Sequence, residues 1–470
     1  MTVVAAVEVL PRRVIGWAAR RSLAPNALTG IGLACTVCAA AWFSAGTRLD
    51  AIAGGLALGA GYLARRVHAQ LVEAYKAADT DDVGHTDDAR NGAALAVATR
   101  PMQAGFEGWL ASISAALGEL AVYAGLAAGA RAAQRHGIWL LATEAAITLS
   151  IRQVARTCQP GRGQPGRGQH ARAAALAPPS PRSLLEGRLL GGRLLGGRLL
   201  GRRLLGRRLL ALPAGERVVA IAVTAPLWGA RITFLVLIIW GAAVAAWEIT
   251  QSAWTSSRKG AAAAGGIAAC RDDGAVARLA GRIVQGQLVP LPPALAGLAA
   301  TVLLATLGLG NLTGLLAFAP VFAMLLAAPG ASHPHDGRLD WLVPLVLQAA
   351  QCIYLAALGF AAGVPGPVTF GLIGVVALRQ LDVACRARPQ AGAGAAGAEV
   401  AGAGVAGWPA QRSGLGWDGR ILVVGLAALL GFVTFAYLVL TAYLGFLLGR
   451  AALSGWLAAR ESHISEGDRR

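Results

Sequence analysis

The sequence predicts an all-α, polytopic integral membrane protein of about 12 transmembrane helices in two six-helix halves. Three observations carry this. Of 470 residues, 56% are hydrophobic and only 14% charged, too little charge to cover a water-soluble chain of this size. Several apolar runs approach or exceed the roughly 20 residues that cross a bilayer as a helix. The charged residues gather between those runs rather than inside them.

The formal net charge is +18. In a soluble chain that excess would point to nucleic acid. Here it lies between apolar runs, so membrane lipids with anionic headgroups are the expected partner, and no nucleic acid is expected. Nearly all the base is arginine, since Lys76 and Lys259 are the only lysines. A GC-rich coding sequence accounts for part of that bias. The six cysteines are scattered. Cys35 and Cys38 form one C-x-x-C inside an apolar run, with no second pair to complete a zinc site. A cleavable signal is not expected, because Pro11-Arg12-Arg13 follows the first apolar residues instead of preceding them.

Residues 1–26 read as a basic, amphipathic lead-in, with Arg12, Arg13, Arg20 and Arg21 among apolar residues. The first span is PNALTGIGLACTVCAAAWFSAG, with Asn26 as its expected cap. A second runs from about Leu49 and closes on ALGAGYLARRV. Residues 75–104 are expected as a polar loop. GFEGWLASISAALGELAVYAGLAAGA and GIWLLATEAAITLSIRQVA are the third and fourth spans. A low-complexity insert over 157–212 follows, with GRGQPGRGQ and a pentapeptide repeat from Glu186 to Leu210. A five-residue step advances about 140° around a helix once full turns are removed. Arg188, Arg193, Arg198, Arg203 and Arg208 therefore form no single basic face. Two spans meet near Gly229-Ala230-Arg231, and 257–288 reads as a basic linker. In the second half, spans are expected at about 293–309, 312–328, 341–362 and 367–384, and the run 421–459 folds back as two. Domain boundaries are thus 1–256, 257–288 and 289–470. The loops 65–104, 152–215, 257–288, 330–340 and 385–420 carry most of the arginine, which puts both termini in the cytoplasm.

The motifs of residues 10–256 resemble the CDP-alcohol phosphatidyltransferases. That family carries D-x-x-D-G-x-x-A-R followed by G-x-x-x-D-x-x-x-D on neighbouring transmembrane helices. Gly61, Ala64 and Arg65 match G-x-x-A-R in register, but Ala57 and Ala60 hold the two aspartate positions. In the third span Glu107 takes the motif glycine, and Ala111 and Ala115 take the last two aspartates. The two motif halves lie 41 residues apart instead of eight. The resemblance implies a phospholipid-biosynthesis enzyme of a bacterial inner (plasma) membrane, commonly dimeric, whose aspartates hold Mg or Mn. Alanine cannot ligate a hard cation. This copy is therefore expected to be degenerate, with no cofactor, a remnant substrate-binding edge at Gly61, Ala64 and Arg65, and catalysis weak or absent. Arg65 reads equally as an anion-binding group and as an arginine snorkelling to the surface. A homodimer, or pairing with an active relative, is the implied assembly. The alternatives are a membrane scaffold, a lipid-binding pseudoenzyme, or an enzyme with its site in the second half.

The second half resembles an uncharacterised bacterial membrane domain fused to such proteins. CRDDGAVARLAGRIVQGQL, HPHDGRLDWLVP and GLGWDGR carry that resemblance. Its candidate residues are His335, Asp336, Arg338 and Asp340 at a membrane edge, Asp418, and the i,i+3 pair Arg379 and Asp382. The pair reads as an ion pair or as a site. His333 and His335 read as loop residues before metal ligands. Gln348 and Gln351 share one face of a span. In CRDDGAVAR, the fit of Asp273, Gly274, Ala277 and Arg278 to part of the transferase motif reads as coincidence.

Overall fold

The computed structural model describes residues 25–82, 90–132, 137–157, 214–256, 271–285, 288–308, 315–332, 339–392 and 415–467. The described residues are helical and contain no strand. The helices are α1 (Pro25–Ala45), α2 (Arg48–Asp82), α3 (Arg90–Ala132), α4 (Ile138–Thr157), α5 (Ala214–Ser256) and α6 (Ala275–Val284). The second half continues with α7 (Leu291–Gly308), α8 (Leu315–Leu325), α9 (Val343–Ala361), α10 (Gly366–Gly392), α11 (Trp417–Leu429) and α12 (Val433–Gly467). Short 3-10 turns at Ala328–Ser332 and Asp340–Leu342 precede α9.

Seven stretches among the described residues are long and apolar enough to cross a membrane. They lie in α1, α3, α4, α5, α9, α10 and α12. The expected twelve is not reached by this measure, for physical reasons. The apolar part of α2 runs into a charged extension, while α7, α8 and α11 are short. α5 carries two arms as one element: Gly229 breaks it with φ 77° and ψ 176°. Thr224 Oγ1 and Thr233 Oγ1, on either side, are 2.9 Å apart. A continuous helix would separate residues nine apart by about 13 Å, so the chain reverses at Gly229.

Two expectations change. The stretch 75–104 is helical up to Asp82 and again from Arg90, because Ala, Glu and Lys continue a helix beyond the apolar segment. The linker 257–288 contains α6, whose start is held by a distant aspartate. α1 begins at Pro25 and so takes in Asn26, as suits a proline on the first turn. The predicted fold-back of 421–459 occurs at Leu430–Phe432.

Among the described residues, five glycines have positive φ: Gly46, Gly137, Gly229, Gly363 and Gly431. Each sits where two helical arms reverse, a conformation that costs an L-residue with a side chain. All five gather at one end. Gly46, Gly129 and Gly229 line one pocket there. Gly366 abuts Trp139, and Tyr437 donates to the Leu355 carbonyl close by.

Small residues let α1 touch both its neighbours. Gly32 of α1 faces Gly61 of α2: a Cβ on Gly61 would lie 3.0 Å from the Gly32 carbonyl oxygen and 3.2 Å from Cys35 Cβ. On α3, Gly118, Gly125 and Gly129 recur at helical spacing. A Cβ on Gly125 or Gly129 would strike the carbonyl oxygens of Ala40 and Phe43. This is close backbone approach through small residues. α4 joins the halves, with Trp139 edge-on to Phe370 at 5.8 Å and Ser150 Oγ accepting from Gln348 at 3.0 Å. α9 and α10 are buried over most of their length, whereas α1, α5 and α12 keep broad apolar faces exposed.

Gly125→Val is expected to destabilise the α1–α3 contact by about 1–3 kcal/mol, the range for overpacking. The thermal midpoint of the purified protein in detergent should fall. Gly445→Val, where a Cβ meets open space, should leave it nearly unchanged.

Candidate functional site: a buried ionic layer

The end opposite the glycine turns holds the buried charges, in three groups. The first surrounds Gly61, Ala64 and Arg65 on α2. Ala60 is exposed, while Ala57, Ala111 and Ala115 are partly buried. Ala57 packs on the main core. Gly61 is buried against Gly32, and Ala64 is partly buried beside it. Arg65 does not snorkel outward. Its stem passes Gly32, and Nη1 makes a long contact, 3.5 Å, with Thr36 Oγ1, one turn deeper on α1. A Cβ on Gly118 of α3 would come within 3.5 Å of the same nitrogen. Arg65 therefore reaches across α1 toward α3.

Next along α3, Glu119 Oε1 accepts from Arg217 Nη1 at 2.7 Å and from the Tyr123 hydroxyl at 2.8 Å. Arg156 Nε binds Glu248 Oε1 at 3.0 Å. Arg152 is buried on α4, within electrostatic range of both pairs. This group therefore has four arginines, Arg65, Arg152, Arg156 and Arg217, and two glutamates. Neither glutamate is free to act as a bare ligand, since an arginine holds each one.

The second group centres on Asp382, which is fully buried. Oδ2 accepts from Arg379 Nη1 at 2.5 Å, and Oδ1 accepts from Arg386 Nε at 2.6 Å. Trp109 Nε1 of α3 donates to Oδ1 at 2.8 Å. Asp382 thus ties α3 to α10. Of the two readings of Arg379 and Asp382, the geometry favours the structural pair. Gln348 is spent on Ser150 and on Cys352 Sγ at 3.3 Å, and Gln351 is fully buried behind it.

The third group joins the second half's two Asp-Gly motifs. Gly274 is the N-cap of α6 and has no side chain to cap with. Asp418, at the start of α11, supplies the missing acceptors. Its Oδ1 takes the Gly274 N–H at 2.7 Å, and its Oδ2 takes the Ala277 N–H at 2.9 Å. A carboxylate at a helix N-terminus satisfies two orphan donors and meets the positive end of the dipole. In return, the Trp417 N–H donates to the Asp272 carbonyl at 3.0 Å. Trp417 Nε1 donates to Asp273 Oδ1 at 2.8 Å, and Arg420 Nη2 pairs with Asp272. Arg271 binds Asp273 at 2.9 Å and the Gly330 carbonyl at 3.0 Å. Gly416 and Gly274 touch backbone to backbone, and a Cβ on either would collide. Every carboxylate here is taken up by donors, so the arrangement is a clasp and offers no free base.

Asp340 is buried at the start of a 3-10 turn, apart from these pairs. His333, His335, Asp336 and Arg338 lie outside the described residues, as do Asp87 and Asp88. No three His, Cys, Asp or Glu side chains among the described residues converge on a metal-sized site. Sequence reasoning passed over Arg152, Arg217, Glu248, Trp109 and the pairing of RDDG with GWDGR. Its available signal was the repeated arginines at the ends of apolar runs.

Asp418→Ala should leave two buried amides without acceptors, at about 1–3 kcal/mol each. Hydrogen exchange at α6 should accelerate, and Asp418→Asn should fall between the two. Asp382→Ala should cost more, about 3–5 kcal/mol, because Arg379 and Arg386 lose their shared counterion. The thermal midpoint reads this out.

Residues 261–466, from before α6 to the end of α12, match the sequence profile of a family of unknown function (DUF5941). No curated protein matches the chain, and no solved structure matches it either.

Proposed function

We propose that the chain is a twelve-pass membrane protein whose first half is a degenerate CDP-alcohol phosphatidyltransferase that binds lipid without catalysing transfer. One observation carries the reading. Where the family needs four metal-binding aspartates, this chain has Ala57, Ala60, Ala111 and Ala115. Of the acids whose side chains are described in this ionic group, Glu119 and Glu248 are held by Arg217 and Arg156. Divalent metals in such chemistry offset pyrophosphate charge and activate a hydroxyl. An arginine-rich cluster whose described carboxylates are held by arginines suits the first of these roles. Anionic phosphate headgroups are the ligand class it suits.

Twelve passes are supported by the five glycine turns at one end and by the reversal at Gly229, which divides α5 into two arms. An even number of passes leaves both termini on the arginine-rich side. That is the cytoplasmic side of a bacterial plasma membrane under the positive-inside bias. The second half reads as a scaffold in this proposal, because Asp272, Asp273, Asp382 and Asp418 already have their donors. Pairing with an active relative would supply the missing chemistry in trans; a homodimer would bring together two copies that both carry Ala57, Ala60, Ala111 and Ala115.

Purified protein with Mg²⁺ or Mn²⁺ and CDP-alcohols is expected to release no CMP above background. Release unaffected by Asp336→Ala and Asp382→Ala would overturn the degenerate reading. Release abolished by Asp336→Ala at an unchanged thermal midpoint would move the chemistry to the second half. For topology, a fluorescent protein fused at the C-terminus should light up in the cytoplasm. Ala362→Cys, exposed beside the Gly363 turn, in a chain whose own cysteines are replaced, should be labelled by an impermeant reagent from outside.

A further inference from the structure

α6 is too short to cross a membrane: ten residues rise about 15 Å, half of a bilayer core. It has three distinct faces. Ala277 and Gly281 are buried against the protein. Val276, Leu279 and Ile283 form a second, apolar face that is exposed, with Leu279 60% and Ile283 74% accessible. Arg278 and Arg282 are exposed on the third. Soluble helices seldom show two large aliphatics this bare beside a basic stripe, and interfacial helices do.

Its placement is equally specific. Asp418 fixes the first turn from α11, and the Gly274–Gly416 contact presses the helix close. Gln285 ends it in a left-handed conformation, φ 51° and ψ 36°, its N–H returning to the Gly281 carbonyl. The chain then passes exposed Leu288 and Val289 straight into the apolar α7. A helix joined so closely to an apolar segment sits where that segment meets headgroups.

We infer that α6 is an interfacial lipid-binding helix, clamped to the protein by Asp418, that seats Leu279 and Ile283 among acyl chains and offers Arg278 and Arg282 to anionic phosphate headgroups. The occupant of its bare face is the membrane's own surface. Charge complementarity argues for anionic lipid, since the helix carries two arginines and no acid. The clamp has a purpose in this arrangement. An isolated ten-residue helix is unstable in water, so without Asp418 it would fold only after meeting lipid. With it, both stripes are presented already formed. The inference rests on the membrane reading above, and the test separates the two.

The full chain, its six cysteines replaced by alanine, carries a nitroxide at Leu279→Cys, Ile283→Cys, Arg282→Cys or, as control, Leu303→Cys in α7. It is reconstituted in nanodiscs of phosphatidylcholine alone or with roughly a third phosphatidylglycerol. Collision with oxygen and with Ni-EDDA is measured. Labels at Leu279 and Ile283 should favour oxygen and that at Arg282 should favour Ni-EDDA. Adding phosphatidylglycerol should raise the seated fraction on the order of tenfold, and Arg278→Gln with Arg282→Gln should abolish that rise. Leu303 in oxygen with Leu279 and Ile283 in water would overturn the proposal and leave the membrane reading intact. Leu303 in water would overturn both. Labels at Leu279 and Ile283 shielded from both reagents would show a protein covering the face, and would also overturn it.

Discussion

A carboxylate buried among apolar helices must be shared among donors, and Asp382 shows how far that constraint reaches. It accepts from two arginines on its own helix and from Trp109 on a helix of the other half. Removing water from a charge is costly unless geometry returns the loss through several hydrogen bonds. Once such a group is placed at that depth, α3 and α10 have little freedom to slide. The same logic governs Glu119 with Arg217 and Tyr123, and Asp418 with the first turn of α6. Each acid therefore specifies a register between two helices, which apolar packing alone would leave loose.

The two ends of the molecule use different physics. At one end, glycines with positive φ stand where described helical arms reverse, and Gly46 lies near Gly129 where a side chain would collide. Backbone shape does the work there, with little charge. At the other end the described helix ends carry the buried ion pairs. That asymmetry suits a bilayer with a negative cytoplasmic leaflet. It also separates the pocket beside the glycine turns, lined by Phe43, Leu126 and Pro226, from the ionic layer. That hollow is also lined by Thr47 and Arg48, so its wall is mixed, and it does not include the buried ion pairs.

Much of the helix order was legible in the sequence because span length and apolar runs are local properties. Gly229 announced the break in α5, and 421–459 was too long for one pass. The ends of helices were less legible: residues 75–82 and 90–104 continue as helix because propensity does not stop where hydropathy does. α6 was hidden for another reason. Its cap comes from Asp418, 141 residues beyond Ala277, and no local window contains that partner. In the candidate site, Arg379 and Asp382 were readable as an i,i+3 pair, but the third partner, Trp109, lies 273 residues from Asp382. Sequence spacing exposes intrahelical pairs and conceals tertiary ones.

The position of Arg65 bears on how a helix bundle houses an arginine that has no carboxylate bonded to it. Such a cation needs another partner or a route to water. Arg65 takes neither an outward path nor a direct acid. It leans across Gly32 to Thr36, whose hydroxyl is already donated to the Gly32 carbonyl at 2.7 Å and so can accept. Gly118 leaves the space through which the guanidinium approaches α3. Glycines at positions 32, 61 and 118 thus do two things at once: they let three helices approach, and they keep a channel open for one charged side chain. A larger residue at Gly118 would close that channel, so the smooth face of α2 and the arginine at its end are one device, in which small residues give the charge a place to go.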